Sequence, residues 1–214
     1  MPISILSCGI FRFELEKLLP EIREELGIDD IQAEFLPPAL DVNAGLLEES
    51  VAGKLEARQN GKNVLLYGSM CHTEWGRITE KSGAVYPKAS NCVEILFSPE
   101  RKKESDSSAN VYYLTMGGLK LWKEIYRQGH GWDSADARVN FGYFEKIVVL
   151  DTGIFEITDE ELFEFFEYTQ IPVEVMKIST DYFKSLVLDL CKAAVSSLRG
   201  QESSPKTEVL WKLS

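Results

Sequence analysis

No stretch of the chain approaches the ~20 consecutive apolar residues that a membrane-spanning helix needs. The strand-like opening Ile3-Ser4-Ile5-Leu6 carries neither a basic leader nor a small-residue cleavage site. Basic charge is scarce as well: 23 Lys and Arg stand against 34 Asp and Glu, a formal charge of -11. A surface of that sign repels phosphate backbones and anionic headgroups, so neither nucleic acid nor membrane is expected as a partner. The densest basic run, Arg101-Lys102-Lys103, is short and opens a Ser-rich stretch. Cysteine is sparse too. Cys8, Cys71, Cys92 and Cys191 lack the close paired spacing of a secreted disulfide framework, so reduced thiols and a cytoplasmic location are expected. There is no CxxC pair, no Walker-type loop, no G-x-G-x-x-G after a strand, no G-x-S-x-G elbow and no H-E-x-x-H. The phosphate-cradling, nucleophile-elbow and zincin chemistries that those spacings support are thereby without a signature.

What the chain does have is apolar residues, 44% of 214, enough to bury one core without crosslinks, so residues 1–214 are read as a single α/β domain. Residues 2–7 alternate and meet Cys8-Gly9, after which Phe11, Leu15, Leu18, Leu19, Ile22 and Leu26 recur at helical spacing up to Gly27. Ile31 to Leu36 reads as a second strand stopped by Pro37-Pro38, and a helix follows from about Asn43 to Asn60, closing on Gly61. Asn63 to Gly68 is a buried-strand run and Ala84 to Pro87 a shorter strand, with helices near 73–81 and 91–98. Glu100 to Asn110 reads as a surface loop.

Val111 to Thr115 is the next strand, and one helix carries Leu119, Trp122 and Tyr126 before another opens near Asp133. Lys146 to Leu150, Val173 to Ile178 and Glu208 to Leu213 supply further strands, and Thr158 with Glu161 forms a capping box for an aromatic helix running to Thr169. Strands alternating with helices call for crossover connections, hence a three-layer fold: a mainly parallel sheet with helices on both faces.

Ligands of such sheets bind beyond the carboxyl ends of the strands, where loops converge. Those ends carry Ser7-Cys8-Gly9, Gly68-Ser69-Met70-Cys71-His72, Ser90-Asn91-Cys92, Thr115-Met116-Gly117-Gly118 and Asp151-Thr152-Gly153. Cys8, Cys71 and Cys92 with His72 are the candidate metal ligands, since thiolates and an imidazole suit zinc, iron or an iron-sulfur cluster. Gly9, Gly68, Thr115, Gly117 and Asp151 are the candidate cofactor-binding positions, because small residues let backbone approach a ligand. The competing explanations are inert buried thiols and ordinary tight turns. Cys191, among Leu186, Val187, Leu190 and Val195 on an apolar helical face, reads as a structural thiol. His130 between two glycines is assigned no role.

The ordered set Leu66-Tyr67-Gly68-Ser69-Met70-Cys71, Tyr86-Pro87-Lys88-Ala89-Ser90-Asn91-Cys92-Val93, Val111-Tyr112-Tyr113-Leu114-Thr115-Met116-Gly117 and Leu150-Asp151-Thr152-Gly153, with Ser7-Cys8-Gly9 ahead of it, resembles the domain-of-unknown-function 1638 family over residues 3–180. The resemblance implies proteins of anaerobic archaea and bacteria, often encoded near corrinoid-dependent methyltransferases and their activating proteins. It therefore implies a corrinoid protein or a methyltransferase as partner, and corrinoid contact. Where the family typically carries Arg-x-His-Asp-Cys, this chain has Lys88-Ala89-Ser90-Asn91-Cys92: the cysteine stays while the imidazole and carboxylate are absent.

Three functions remain open at this stage. The first is a metal- or cluster-binding accessory protein linked to corrinoid-dependent methyl metabolism, with Cys8, Cys71 and Cys92 as thiolates. The second is a non-catalytic module that binds a small anion through backbone amides around Gly9, Gly68 and Gly117, or that docks on a larger protein. The third is a metal-free thiol-dependent transferase. Whether the chain is an enzyme is left open.

Overall fold

The computed structural model describes residues 2–58, 62–105 and 110–196. Strand β1 (Ile3–Cys8) is central to a parallel sheet between β2 (Ile31–Leu36) and β3 (Lys62–Leu66). A second parallel sheet sets β5 (Lys146–Asp151) between β4 (Val111–Thr115) and β6 (Val173–Lys177). The α/β reading holds, with the sheet expected as one divided into two three-stranded halves.

The outer edge of β3 carries one more pairing. Val85 forms an isolated parallel bridge there with Val64, taking Leu65 N–H on its carbonyl at 2.8 Å and giving its own N–H to Asn63 at 3.0 Å. The strand expected at Ala84 to Pro87 is therefore a single bridge. Pro87, with no N–H to donate, is a poor residue with which to lengthen it.

Strand alternation sends side chains to both faces, and helices cover both. On the face shared by the two sheets, Ile3, Ile5, Val64, Leu66, Val148 and Leu150 join one apolar cluster with α1 (Arg12–Leu26), α4 (Cys92–Phe97) and α9 (Asp181–Ser196). On the opposite face of the first sheet, Leu6 and Leu65 pack under α2 (Ala44–Glu56) and α3 (Trp75–Glu80). On that of the second, Ile147 and Val149 pack under α6 (Met116–Lys120), α7 (Ser134–Phe141) and α8 (Asp159–Thr169). The capping box at Thr158 and Glu161 forms as expected.

Two other expectations change. The charged stretch from Glu100 is helical as α5 (Pro99–Ser105), because a proline at its first position and Glu-Arg-Lys-Lys-Glu behind it favour a helix over a loop. The single helix through Leu119, Trp122 and Tyr126 is instead α6 followed by a π-helical segment, Lys123–Gly129. The strand expected at Glu208 to Leu213 and the helix closure at Asn60-Gly61 lie outside the described residues. Among the described residues no helix is long and apolar enough to cross a membrane.

Candidate functional site

Because the strands of each sheet run parallel, their carboxyl ends share one side of that sheet. The turns after β1, β2 and β3, the residues Tyr112 to Thr115 of β4, the start of α4 and the π-helical segment line a cavity of about 170 Å³ there. Two glycines bring these turns together. A side chain on Gly68 would meet the Ser90 carbonyl oxygen at 2.5 Å, and the two loops are tied by Ser69 N–H to Ala89 at 2.9 Å and Met70 N–H to Ser90 at 2.8 Å. That tie sets the loop of Cys71 against the start of α4, which Cys92 opens and the Asn91 side chain caps by accepting from Glu94 N–H at 3.0 Å. At Gly117 the place of a Cβ is filled by the Ile10 carbonyl oxygen, which seats α6 on the turn after β1.

Cys8, Cys71 and Cys92 all line the cavity, as do Gly68 and Thr115. The Thr115 hydroxyl caps α6, accepting from Gly118 N–H at 2.9 Å. Gly9 and Gly117 serve close packing between the chain's own loops: a Cβ on Gly9 would stand 2.8 Å from the Leu36 carbonyl oxygen. Asp151 makes an Asx turn, accepting from Gly153 N–H at 2.8 Å, and does not line the cavity. His72 faces elsewhere, its Nδ1 accepting from Glu74 N–H at 3.1 Å and its Nε2 3.5 Å from Glu48. Cys191 is fully buried in the shared core, its thiol pushed up to about 12 by burial alone.

Asp41, Tyr67, Tyr112, Tyr126 and His130 also line the cavity, and none of them is a sequence candidate. Asp41 lies in the 3-10 turn Leu40–Val42 after Pro37-Pro38. Reading the segment after β2 by the rule applied to the other strands would have found it. Tyr126 and His130 come from the π-helical segment and its end, and their rings stack at 6.0 Å. Such wide turns recur at functional sites. No local pattern signals either residue. The hydroxyls of Tyr112 and Tyr126 bond each other at 2.8 Å. Ala39, which lines the cavity just before Asp41, holds the left-handed conformation at φ 63°, a strain that non-glycine residues accept where surroundings enforce it.

The electrostatics are one-sided. Among the described residues no Lys or Arg lines the cavity, and Asp41 contributes a carboxylate. Burial, then the Asp41 charge, pushes Cys92 up to about 11 and Cys71 up to about 12. Burial, with the neighbouring Cys92 and Cys71, raises Cys8 further. All three are therefore neutral thiols at physiological pH. Among the described residues no three His, Cys, Asp or Glu side chains stand in an arrangement that could hold a metal ion, the three cavity thiols included.

Among known proteins, a family model described as Protein of unknown function (DUF1638) matches residues 35–187. The match covers Asp41, Cys71 and Cys92 and begins after Cys8. No curated protein and no solved structure matches.

Proposed function

We propose, from the premise that this chain belongs to the DUF1638 family, whose description assigns no activity, that the strand-end cavity takes up a thiophilic metal ion through Cys8, Cys71 and Cys92. The observation that carries this reading is the convergence of three thiols from three separate turns, with Asp41, on one small cavity lined by no Lys or Arg among the described residues. Soft sulfur donors with one carboxylate suit zinc, iron or an iron-sulfur cluster. To share an ion the thiols would have to turn out of their present arrangement, between staggered χ1 wells, and each would have to lose its proton. Bound there, such an ion would supply the positive charge that holds the thiolates of Cys8, Cys71 and Cys92 together. Asp41 and His130 are the cavity's other donors; His72, turned to Glu48, is not one.

The electrostatics weigh against the competing readings. An anion would face Asp41 with no cationic side chain to hold it. A metal-free nucleophile calls for a lowered thiol pKa, and burial with Asp41 moves these thiols the other way. The link to corrinoid-dependent methyl metabolism is part of the proposal through the partner. At about 170 Å³ the cavity falls below the ~300–1,000 Å³ of drug-sized ligand pockets, so a corrinoid meets the rim rather than entering. Met70, 74% exposed beside Cys71, offers an apolar contact there for a corrinoid protein or a methyltransferase.

The test is metal content of the chain purified anaerobically, alone and as four single Cys→Ser variants. Retention abolished at Cys8, Cys71 and Cys92 but kept in Cys191→Ser supports the reading. No metal in the parent, with equal loss of stability in all four variants, removes it.

A further inference from the structure

We propose that the strand-end cavity binds a small alkylammonium ion, its charged head paired with Asp41 at the mouth and its short apolar tail among Phe11, Leu114 and Ile125. Such binding is independent of the metal reading above. It needs the cavity only as the structure shows it, with the thiols protonated and in their present arrangement.

The sign of the charge comes first. Asp41 brings a carboxylate to a lining that holds no Lys or Arg among the described residues. Its charge acts on Cys8, Cys71, Cys92, Tyr67 and Tyr112 alike. A negative potential therefore spreads through the whole cavity, which favours a cation over a neutral molecule of the same shape. The turn that carries Asp41 is held in place: a Cβ on Gly129 would stand 2.5 Å from that of Ala39, so the end of the π-helical segment packs directly on it.

Polarity is also graded along the cavity. Asp41 and His130 are exposed, whereas Phe11, Tyr113 and Leu114 are 1%, 7% and 3% exposed. The carboxylate thus stands at the mouth with apolar side chains behind it. A ligand charged at one end and hydrocarbon at the other matches that order, and a bare ion has no apolar end to gain from burial. At about 170 Å³ the space suits a tail of a few carbons rather than a drug-sized molecule. An ammonium head needs no three donors in fixed geometry, and among the described residues none stand ready. The neutral thiols neither repel it nor have to lose protons.

The experiment is calorimetric titration of the reduced, metal-free full chain at pH 8 with propylammonium, methylammonium and 1-propanol. Propylammonium is expected to bind once per chain, about tenfold tighter than methylammonium, from its two further buried CH₂ groups. It is expected to bind about fivefold tighter than propanol. Asp41→Asn is expected to weaken propylammonium about fivefold, the upper worth of an exposed ion pair, and to leave propanol unchanged. Glu160→Gln, at an exposed carboxylate that does not line the cavity, is expected to change neither. Equal affinity of the parent for propylammonium and propanol, or for propylammonium and methylammonium, overturns the inference, as does an Asp41→Asn chain that binds propylammonium as the parent does. Cobalt(II) uptake by a parent that binds no propylammonium overturns it too and leaves the metal reading standing. Propylammonium binding in the expected order by a parent that takes up no cobalt(II) upholds it and removes the metal reading.

Discussion

The Ile10 carbonyl oxygen occupies the space where a side chain on Gly117 would begin. Ile10 belongs to the turn after β1 and Gly117 to the first turn of α6, so this contact joins the two sheets at the wall of the cavity that Cys8, Ile10 and Thr115 line. Gly117→Ala is expected to destabilise the chain by about 3 kcal/mol or more, since backbone must shift to admit the methyl group. Gly53→Ala in α2, where a Cβ meets nothing within 4 Å, is expected to stabilise it by about 0.5–1 kcal/mol. Urea denaturation of the two variants checks the contrast.

Cys191 and the cavity thiols separate by stability. Cys191→Ser sets a hydroxyl in the apolar cluster under α9 and is expected to cost about 1–3 kcal/mol. Cys71→Ser, at the partly exposed cavity wall, is expected to cost less than 1 kcal/mol, roughly the surface range. Thermal unfolding of the metal-free chains measures both.

Asp41 restrains the thiols. Its charge raises Cys71 and Cys92, so Asp41→Asn is expected to lower both and speed their alkylation by iodoacetamide at pH 8, with Cys191 unaffected. Mass-spectrometric rates at each cysteine provide the check, and unchanged rates at Cys71 and Cys92 would count against the coupling.

Glu14 gives the chain a pH dependence of its own. It is 1% exposed in the first turn of α1, with Oε2 unpartnered and Oε1 3.3 Å from the Thr152 hydroxyl. Burial raises it from 4.5 to about 7. Between those values the folded chain holds a proton that the unfolded chain has lost. Stability is therefore fully present below about 4.5 and falls as pH rises to about 7, by about 3 kcal/mol in all. Glu14→Gln is expected to flatten that decline and to be the more stable protein at pH 8. Equal pH slopes in urea melts of parent and variant would show that Glu14 is not the titrating group.

Much of this was legible from residue order. Buried runs such as Val64-Leu65-Leu66 and Ile147-Val148-Val149 mark parallel strands, and parallel strands put Cys8, Cys71 and Cys92 on one side of the fold. That Val85 makes one bridge and not a strand was not legible, because it depends on how its neighbours pair across the edge of β3. Tyr126 and His130 were hidden for another reason: a π-helical turn shifts which residues share a face, and the 3.6-residue period does not reveal it. His72, adjacent to Cys71 in sequence, was drawn toward Glu48 and Trp75 instead. Adjacent side chains diverge unless a turn holds them together, and here the turn does not.

The measurement that bears most directly on the central claim is proton release during metal uptake. The cavity thiols are neutral near pH 7, so an ion bound by all three must displace their protons. Anaerobic titration of the reduced full chain with cobalt(II) in weak buffer is expected to saturate at one ion per chain and to release about three protons. It should also raise a thiolate-to-cobalt charge-transfer band that is lost in Cys92→Ser. Binding with no proton release and no such band would place the ion away from the thiols and contradict the account.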